Sequence, residues 1–319
     1  MEGQPHPSRV LLISMICLMM LIWGINFIVA KVALRHLDPV TLASFRVVLS
    51  AVIILPVYLI RPRRPTRFTP SDVREFVKLG FFGVVVNQLC FTIGIHYTTV
   101  SHSSLIVGMG PIYVLLLAWL MGLEAITTNK LAGMAVAFSG VIVLAGEHGF
   151  TLAGGSLMGD LIILSGSVGF AFYVVLGKKV APRFESLEMN TFNYLTGAVL
   201  ILPLAARQAL TLDWRAVPWQ AWAGLLFMAA FASVVAYLVY FWALKHVAAS
   251  RIAAFSYLLP VIATLFGIAF LGEPVTQHLL IGGALVMGGV YLAEIGFGKT
   301  SEDEPDEPPP SSAPELPPT

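Results

Sequence analysis

Long apolar runs separated by short polar breaks organise this chain. From Val10 onward, runs of membrane length alternate with breaks that carry Gly, Pro, Lys or Arg. A bilayer core about 30 Å thick takes roughly 20 residues of helix to cross, because each residue rises about 1.5 Å. The pattern predicts ten spans: Val10–Val32, Val40–Ile60, Phe76–Tyr97, Ser104–Leu123, Asn129–Ala145, Leu157–Leu176, Leu187–Ala206, Trp219–Leu244, Ile252–Leu271 and Leu279–Phe297. The chain reads as an all-α polytopic membrane protein. Its first run is too long for the core of a cleaved signal and has no small-x-small cleavage site behind it, so it stays as the first helix.

Composition agrees. With 57% hydrophobic residues, 12% charged and a mean hydropathy of +0.83, lipid is the expected solvent. Cys17 and Cys90 fall inside spans, where a reduced thiol behaves as a small apolar group, and no disulfide is expected. The last stretch, 298–319, is acidic and rich in proline, cannot bury a core, and is expected to be disordered.

Charge sets the orientation. Of the nineteen Lys and Arg, only Lys31, Arg35, Arg207 and Arg215 fall on one side of the predicted bundle, and Arg46 lies within the second span. All others fall on the side that carries both ends of the chain. Positive charge stays with the cytoplasm, so residues 1–9 and the tail are expected there, with a bacterial inner membrane as the location. The basic 61–67 connection is explained by the same rule, and no nucleic acid is expected as a partner.

The chain also repeats. Pro111 to Glu124 (PIYVLLLAWLMGLE) recurs as Pro260 to Glu273 (PVIATLFGIAFLGE), followed by Gly133 and Gly140 in one copy and Gly282 and Gly289 in the other. Towards the amino end of each half, Lys31 aligns with Lys178, Asp38 with Glu185, Phe45 with Phe192 and Pro56 with Pro203. The unit is five helices, 10–146 and 157–297. An odd unit re-enters the membrane from the opposite side, so the halves form an inverted pair, the arrangement of secondary carriers. Small residues four apart, Gly133 with Ala137 and Ala284 with Gly288, mark the fifth and tenth spans as scaffold, within a monomer or at a homodimer contact.

Polar groups are costly in hydrocarbon unless they face the bundle interior or a watery cavity. Candidates for the cavity are Trp23, Asn26, Asn87, Gln88, Tyr113, Tyr173, Tyr237, Tyr240, Ser256 and Tyr257, an amphipathic and aromatic set suited to a small organic substrate. Ser104 and Ser167 read more simply as ties between helices. Pro111 and Pro260 interrupt their spans, freeing the carbonyls of Val107 and Ser256 and kinking both helices. Glu124 and Glu273 end those helices, where a carboxylate opposes the helix dipole and needs a partner. One reading makes them gates, Glu273 with Arg46 and Lys31 on the outer side, Glu124 with Lys178 and Asn193 on the inner. The other makes them caps of the next helix. His96 and His102 bracket the turn between the third and fourth spans, either as groups titrating near neutral pH or as solvated side chains. Asp160, Glu124, Glu273 and Glu294 lie near span ends, which disfavours a proton relay through a central carboxylate. No nucleotide-binding loop, HExxH, CxxC or GxSxG occurs, so no cofactor, metal or enzymatic machinery is expected.

The segments WGINFIVAKVAL and DPVTLASFRVVLSAVIILP, with the twice-used P-x12-E and its G-x6-G, resemble the EamA-type branch of the drug/metabolite transporter superfamily. The resemblance implies ten helices in two inverted repeats, both ends cytoplasmic, and export or exchange of small metabolites such as amino acids, or of drugs. It also implies a cavity lined by the first, third, fourth, sixth, eighth and ninth helices. Uptake of a vitamin or nucleotide-like solute by the same scaffold is the alternative. The halves differ where Arg46 gives way to Asn193 and Trp23 to Phe170.

Overall fold

The computed structural model describes residues 8–61, 68–122, 127–148, 156–180, 183–243, 245–246, 255–256 and 258–295, with the side chains of 148, 178, 179 and 293–295 excepted. Among these the architecture is all helix. The helices are α1 (Arg9–Ala33), α2 (Pro39–Ile60), α3 (Pro70–Tyr97), α4 (Val100–Leu120), α5 (Thr128–Ala145), α6 (Ser156–Val180), α7 (Ser186–Thr211), α8 (Trp219–Ala243), α9 (Leu258–Leu271) and α10 (Gln277–Ile295). The first eight are long and apolar enough to cross a bilayer, and the last two are shorter apolar helices. We call the end where α1 begins the near face; successive helices reverse direction, so the α1–α2, α3–α4, α5–α6, α7–α8 and α9–α10 connections lie at the far face.

Capping side chains set several boundaries, which explains where hydropathy alone misplaces them. The Asp38 carboxylate accepts hydrogen bonds from the amides of Val40 (2.9 Å) and Thr41 (3.2 Å), and starts α2. Its repeat partner Glu185 holds the corresponding position before α7, where the Glu188 carboxylate accepts from the Glu185 amide at 2.9 Å. Thr69 and Asp72 cap each other reciprocally, so α3 starts at Pro70 rather than at Phe76. Thr99 does the same work for α4, which begins at Val100 rather than Ser104. Gly122 and Gly272, both at φ 68°, lie just past the ends of α4 and α9 in the left-handed region that favours glycine. α9 itself begins at Leu258, with Phe255 and Ser256 described before it; the expected start of the ninth span at Ile252 lies outside the described residues.

Three helices are irregular. α4 breaks at Met109 into Val100–Gly108 and Gly110–Leu120, as Pro111 requires. The Tyr113 hydroxyl turns back to donate to the Ile106 carbonyl at 2.9 Å, beside the break. α3 and α8 each contain a π-helical stretch, Gly80–Val86 and Met228–Val235, at matching places in the two halves. Nothing in the hydropathy pattern announces these, because a π turn inserts one residue without changing the apolar character of the run.

Glycine faces explain the repeated G-x6-G. α5 and α10 cross antiparallel so closely that a Cβ on Gly140 would meet the Gly282 carbonyl at 2.7 Å, and one on Gly289 would meet the Ala137 amide nitrogen at 2.3 Å and the Gly133 carbonyl at 2.7 Å. The small-residue contact is thus within one chain. Gly288, by contrast, faces open space. α9 crosses α4 beside the α4 break, where a Cβ on Gly108 would sit 3.2 Å from Pro260 Cγ. Gly24 of α1 lies against Ile262 of α9 in the same close manner. In lipid, where no hydrophobic force draws helices together, such contacts carry association through dispersion.

Backbone atoms cannot yield to a new methyl group at Gly289. Gly289→Ala is expected to lower stability by about 1–3 kcal/mol, the usual cost of overpacking, while Gly288→Ala stays within error of the parent. Thermal unfolding of both purified variants in the same detergent checks the pair; equal effects would mean that the α5–α10 crossing does not hold the fold.

Candidate functional site

A polar and aromatic cluster occupies the middle of the bundle. Trp23 of α1 donates its indole N–H to the Ala232 carbonyl in the π stretch of α8 at 3.1 Å. Its ring meets Tyr237 edge-on at 5.5 Å and lies 6.1 Å from Tyr240. Tyr237 in turn contacts Tyr173 of α6 at 6.4 Å and Tyr194 of α7 at 6.1 Å. Asn193 donates to the Tyr173 hydroxyl at 3.1 Å, and Asn190 to the Val234 carbonyl at 3.1 Å. Both π stretches border this cluster: Tyr237 follows one and Gln88, buried beside Tyr194, follows the other.

Arg46 belongs here and not at a gate. It sits two turns inside α2, roughly 10 Å below the far face by helical rise, and is 3% exposed. Its Nε donates to Ser233 Oγ at 2.9 Å, and the phenols of Tyr194 and Tyr237 are near. Asn193, its repeat partner, is likewise interior. Pairing Arg46 with Glu273 as a gate overlooked how deep eight residues of helix carry a side chain. Tyr194 and Ser233 escaped the sequence reading altogether. Their only signal is polarity within apolar runs, which helical ties share.

At the far face, two charges hold one turn. The Lys31 ammonium donates to the carbonyls of Ile95 (2.7 Å), His96 (3.3 Å) and Thr98 (2.6 Å), at the carboxyl end of α3. The Glu273 carboxylate accepts from the amides of Val100 (2.6 Å) and Ser101 (3.0 Å) and from Ser101 Oγ (2.6 Å), at the amino end of α4. Each charge complements the helix end it meets. The partner that Glu273 requires is therefore α4; Thr276 caps the next helix instead. Lys31 and Glu273 share a surface cavity of about 450 Å3 with Arg35, His96, Thr99 and Leu271.

His102 lies just below this clamp and is 2% exposed, so the solvated reading does not hold. Its Nε2 is 2.7 Å from Glu147 and its Nδ1 is 3.3 Å from Asp160, which also accepts from Thr98 Oγ1 at 2.6 Å. Both ring nitrogens facing carboxylate oxygens requires either an imidazolium or a neutral ring beside a protonated carboxyl. Among the described residues no group of His, Cys, Asp and Glu has the arrangement of a metal site. At the near face, Arg183 makes two hydrogen bonds to Asp72, one of 3.0 Å, beside the packed rings of Phe68, Phe76, Phe184 and Phe192.

Not every candidate joins the cluster. Asn87 donates to the Gly166 carbonyl at 3.3 Å and ties α3 to α6. Tyr113 packs with α5 and α10 side chains as well as capping its own helix. Asn26 is buried in α1, and Ser256 precedes α9 at the Leu259 turn. Ser104 and Ser167 bond carbonyls of their own helices. Tyr257, Glu124 and the side chain of Lys178 lie outside the described residues.

The model of the EamA-like transporter family matches residues 10–146 and 157–294. An uncharacterized transporter of Archaeoglobus fulgidus is 26% identical over 87% of this chain and 95% of its own length. A protein of Salmonella typhimurium named "Probable amino-acid metabolite efflux pump" is 25% identical over 88% and 93%. One of Streptantibioticus cattleyicolor named "Probable terminal-alkyne amino-acid exporter" is 27% identical over 82% and 83%. A solved crystal structure superposes with a TM-score of 0.62 at 19% identity, covering 90% of this chain and 98% of that one, and shares the fold.

Removing the imidazole of His102 leaves two carboxylates facing a buried gap. His102→Leu is expected to cost about 3–5 kcal/mol, as when one member of a buried charged group is deleted, whereas Ser104→Ala costs under about 1 kcal/mol. Midpoints of SDS-driven unfolding for both variants check this; a neutral His102→Leu would show that the three groups do not act together.

Proposed function

Because the chain belongs to the EamA-like transporter family, we propose that it is a secondary carrier that exports or exchanges small organic metabolites by alternating access. Amino acids and related compounds are the favoured cargo. Two of its relatives carry names of amino-acid efflux or export, at 25% and 27% identity. The observation that carries the reading is the matched irregularity of the halves. Pro111 and Pro260 hold matching places in α4 and α9, Gly108 at the α4 break packs on Pro260, and π stretches in α3 and α8 border one buried aromatic and polar cluster. Helices with interrupted hydrogen bonding bend at defined points, and an inverted pair of them lets a central site open to either side.

On this reading the near face is cytoplasmic and the membrane is a bacterial inner membrane; the bias of Lys and Arg toward that face supports the orientation. The far-face clamp is then an outer gate: α1 and the end of α9 hold the α3–α4 turn through Lys31 and Glu273, and opening requires these hydrogen bonds to part.

Flux into sealed proteoliposomes, measured against a panel of amino acids and other metabolites, tests the carrier. Saturable flux of at least one member is expected; its absence from well-folded protein would sink the reading. Glu273→Gln tests the gate. It should change the flux severalfold while the yield of folded protein stays as in the parent, and loss of folded protein would make the contact structural only.

A further inference from the structure

Resting on the carrier reading, we infer that Arg46 is the anchor for a carboxylate of the transported molecule, and that the cargo is a monocarboxylate with an apolar or aromatic body. The starting point is an uncompensated charge. Arg46 is 3% exposed in the interior of a membrane bundle, and its guanidinium is always ionised. No described carboxylate pairs with it: its surroundings are Ser233 and the phenols of Tyr194 and Tyr237. The Nη1 group is buried and makes no hydrogen bond. The half-buried Lys31, by contrast, has an evident structural task, since it meets a helix end through three carbonyls.

One bond to a serine does not balance a buried guanidinium. Taking such an ion out of water costs several kcal/mol even after relaxation, and intramembrane ionisable groups otherwise pair or mark a substrate path. A water molecule satisfies an N–H but supplies no charge. An anion supplies both. With Nε committed to Ser233, the guanidinium presents its Nη edge, and the planar fork of arginine fits the two oxygens of a carboxylate.

A second observation points the same way. The Tyr194 hydroxyl lies beside Arg46, near Ser233 and Gln88, yet is buried without a hydrogen bond of ordinary geometry. A phenolic O–H next to a cation is a donor suited to the same anion. Ser233 belongs to the π stretch of α8, a local geometry that recurs at functional sites because it re-aims the side chains it carries. The body of the ligand is fixed by what surrounds the anchor. Tyr237 links Arg46 to Trp23, Tyr240 and Phe170, rings that are only partly buried and offer faces and edges for apolar groups. No described carboxylate lies there to require an ammonium, so an α-amino group is tolerated and not demanded.

Wild-type protein in detergent tests this with four matched probe pairs: 3-phenylpropionate, phenylalanine, leucine and 4-methylpentanoate, each against its primary amide. Binding is read by calorimetry and by ligand-induced shift of the unfolding temperature. At least one acid should bind about tenfold or more tightly than its amide, the factor expected for a charge-assisted bond to a buried cation. In Arg46→Gln that ratio should fall to near one, and in Arg46→Lys it should be reduced but present. Equal binding of acids and amides by the wild type, binding of none of the acids, or an acid preference that survives in Arg46→Gln would each overturn the assignment. Should Arg46→Gln fail to fold, Tyr194→Phe, which keeps the charge, is expected to lower the acid preference severalfold, and an unchanged preference counts against the site. Saturable flux of non-carboxylates in the proteoliposome panel, with no acid preference, would leave the carrier standing and remove the anchor; no flux at all would remove the carrier itself.

Discussion

A bilayer offers no hydrogen bond to the backbone, and the design of this protein follows from that constraint. A straight helix satisfies the constraint without help. A carrier cannot use straight helices alone, because it needs points at which the bundle bends. Several of the irregular points here have a side chain or a neighbouring charge at hand. Tyr113 donates to the Ile106 carbonyl where α4 breaks, and Trp23 donates to the Ala232 carbonyl within the π stretch of α8. At the α3–α4 turn the supply is ionic: an ammonium on three carbonyls and a carboxylate on two amides. Charges that would be expensive in lipid are thereby used where the backbone is otherwise unpaired.

The rest of the scaffold stays rigid by having almost no side chains where it crosses. Gly140, Gly282 and Gly289 let α5 and α10 approach to backbone contact, while the central faces of α1, α7 and α8 carry large rings. Stiffness and adaptability are therefore separated in space. On the carrier reading, the pair that does not bend is built from glycine and the region that repacks is built from Trp and Tyr, which keep contact area over a range of tilts and carry a polar tip.

Much of this was legible in the chain before any coordinates. Hydropathy marks the spans because lipid exposure demands apolar surface over a fixed length. The repeat marks the glycine crossing and Pro111 marks the α4 break because both are backbone requirements that only particular residues meet. Depth and partner were harder. Arg46 reads as a gate residue when only its order along the chain is used, yet two turns of helix carry it to the interior. The need of Glu273 for a compensating partner is visible in the sequence, but not that the partner is the amino end of α4. His102 looked like an interfacial side chain because Glu147 and Asp160, which enclose it, are distant in sequence and come from two other elements. The π stretches have no residue signature.

The inverted halves are alike in backbone and unlike in charge, and that difference bears on how a carrier avoids cycling empty. Arg46 has a neutral counterpart in Asn193, and Trp23 has Phe170. A symmetric scaffold alone would make the two facing states similar in energy whether or not cargo is present. A guanidinium in one half only, with no described carboxylate beside it, makes burial of the empty site unfavourable on electrostatic grounds. On the assignment of Arg46 as a carboxylate anchor, cargo removes that penalty when it binds, so the closed intermediate is favoured by the ligand and not by the protein alone. A ligand shifts a conformational equilibrium only by its differential affinity for the two states. Here the differential is the same charge pair, weak where water reaches the guanidinium and strong where the bundle closes around it.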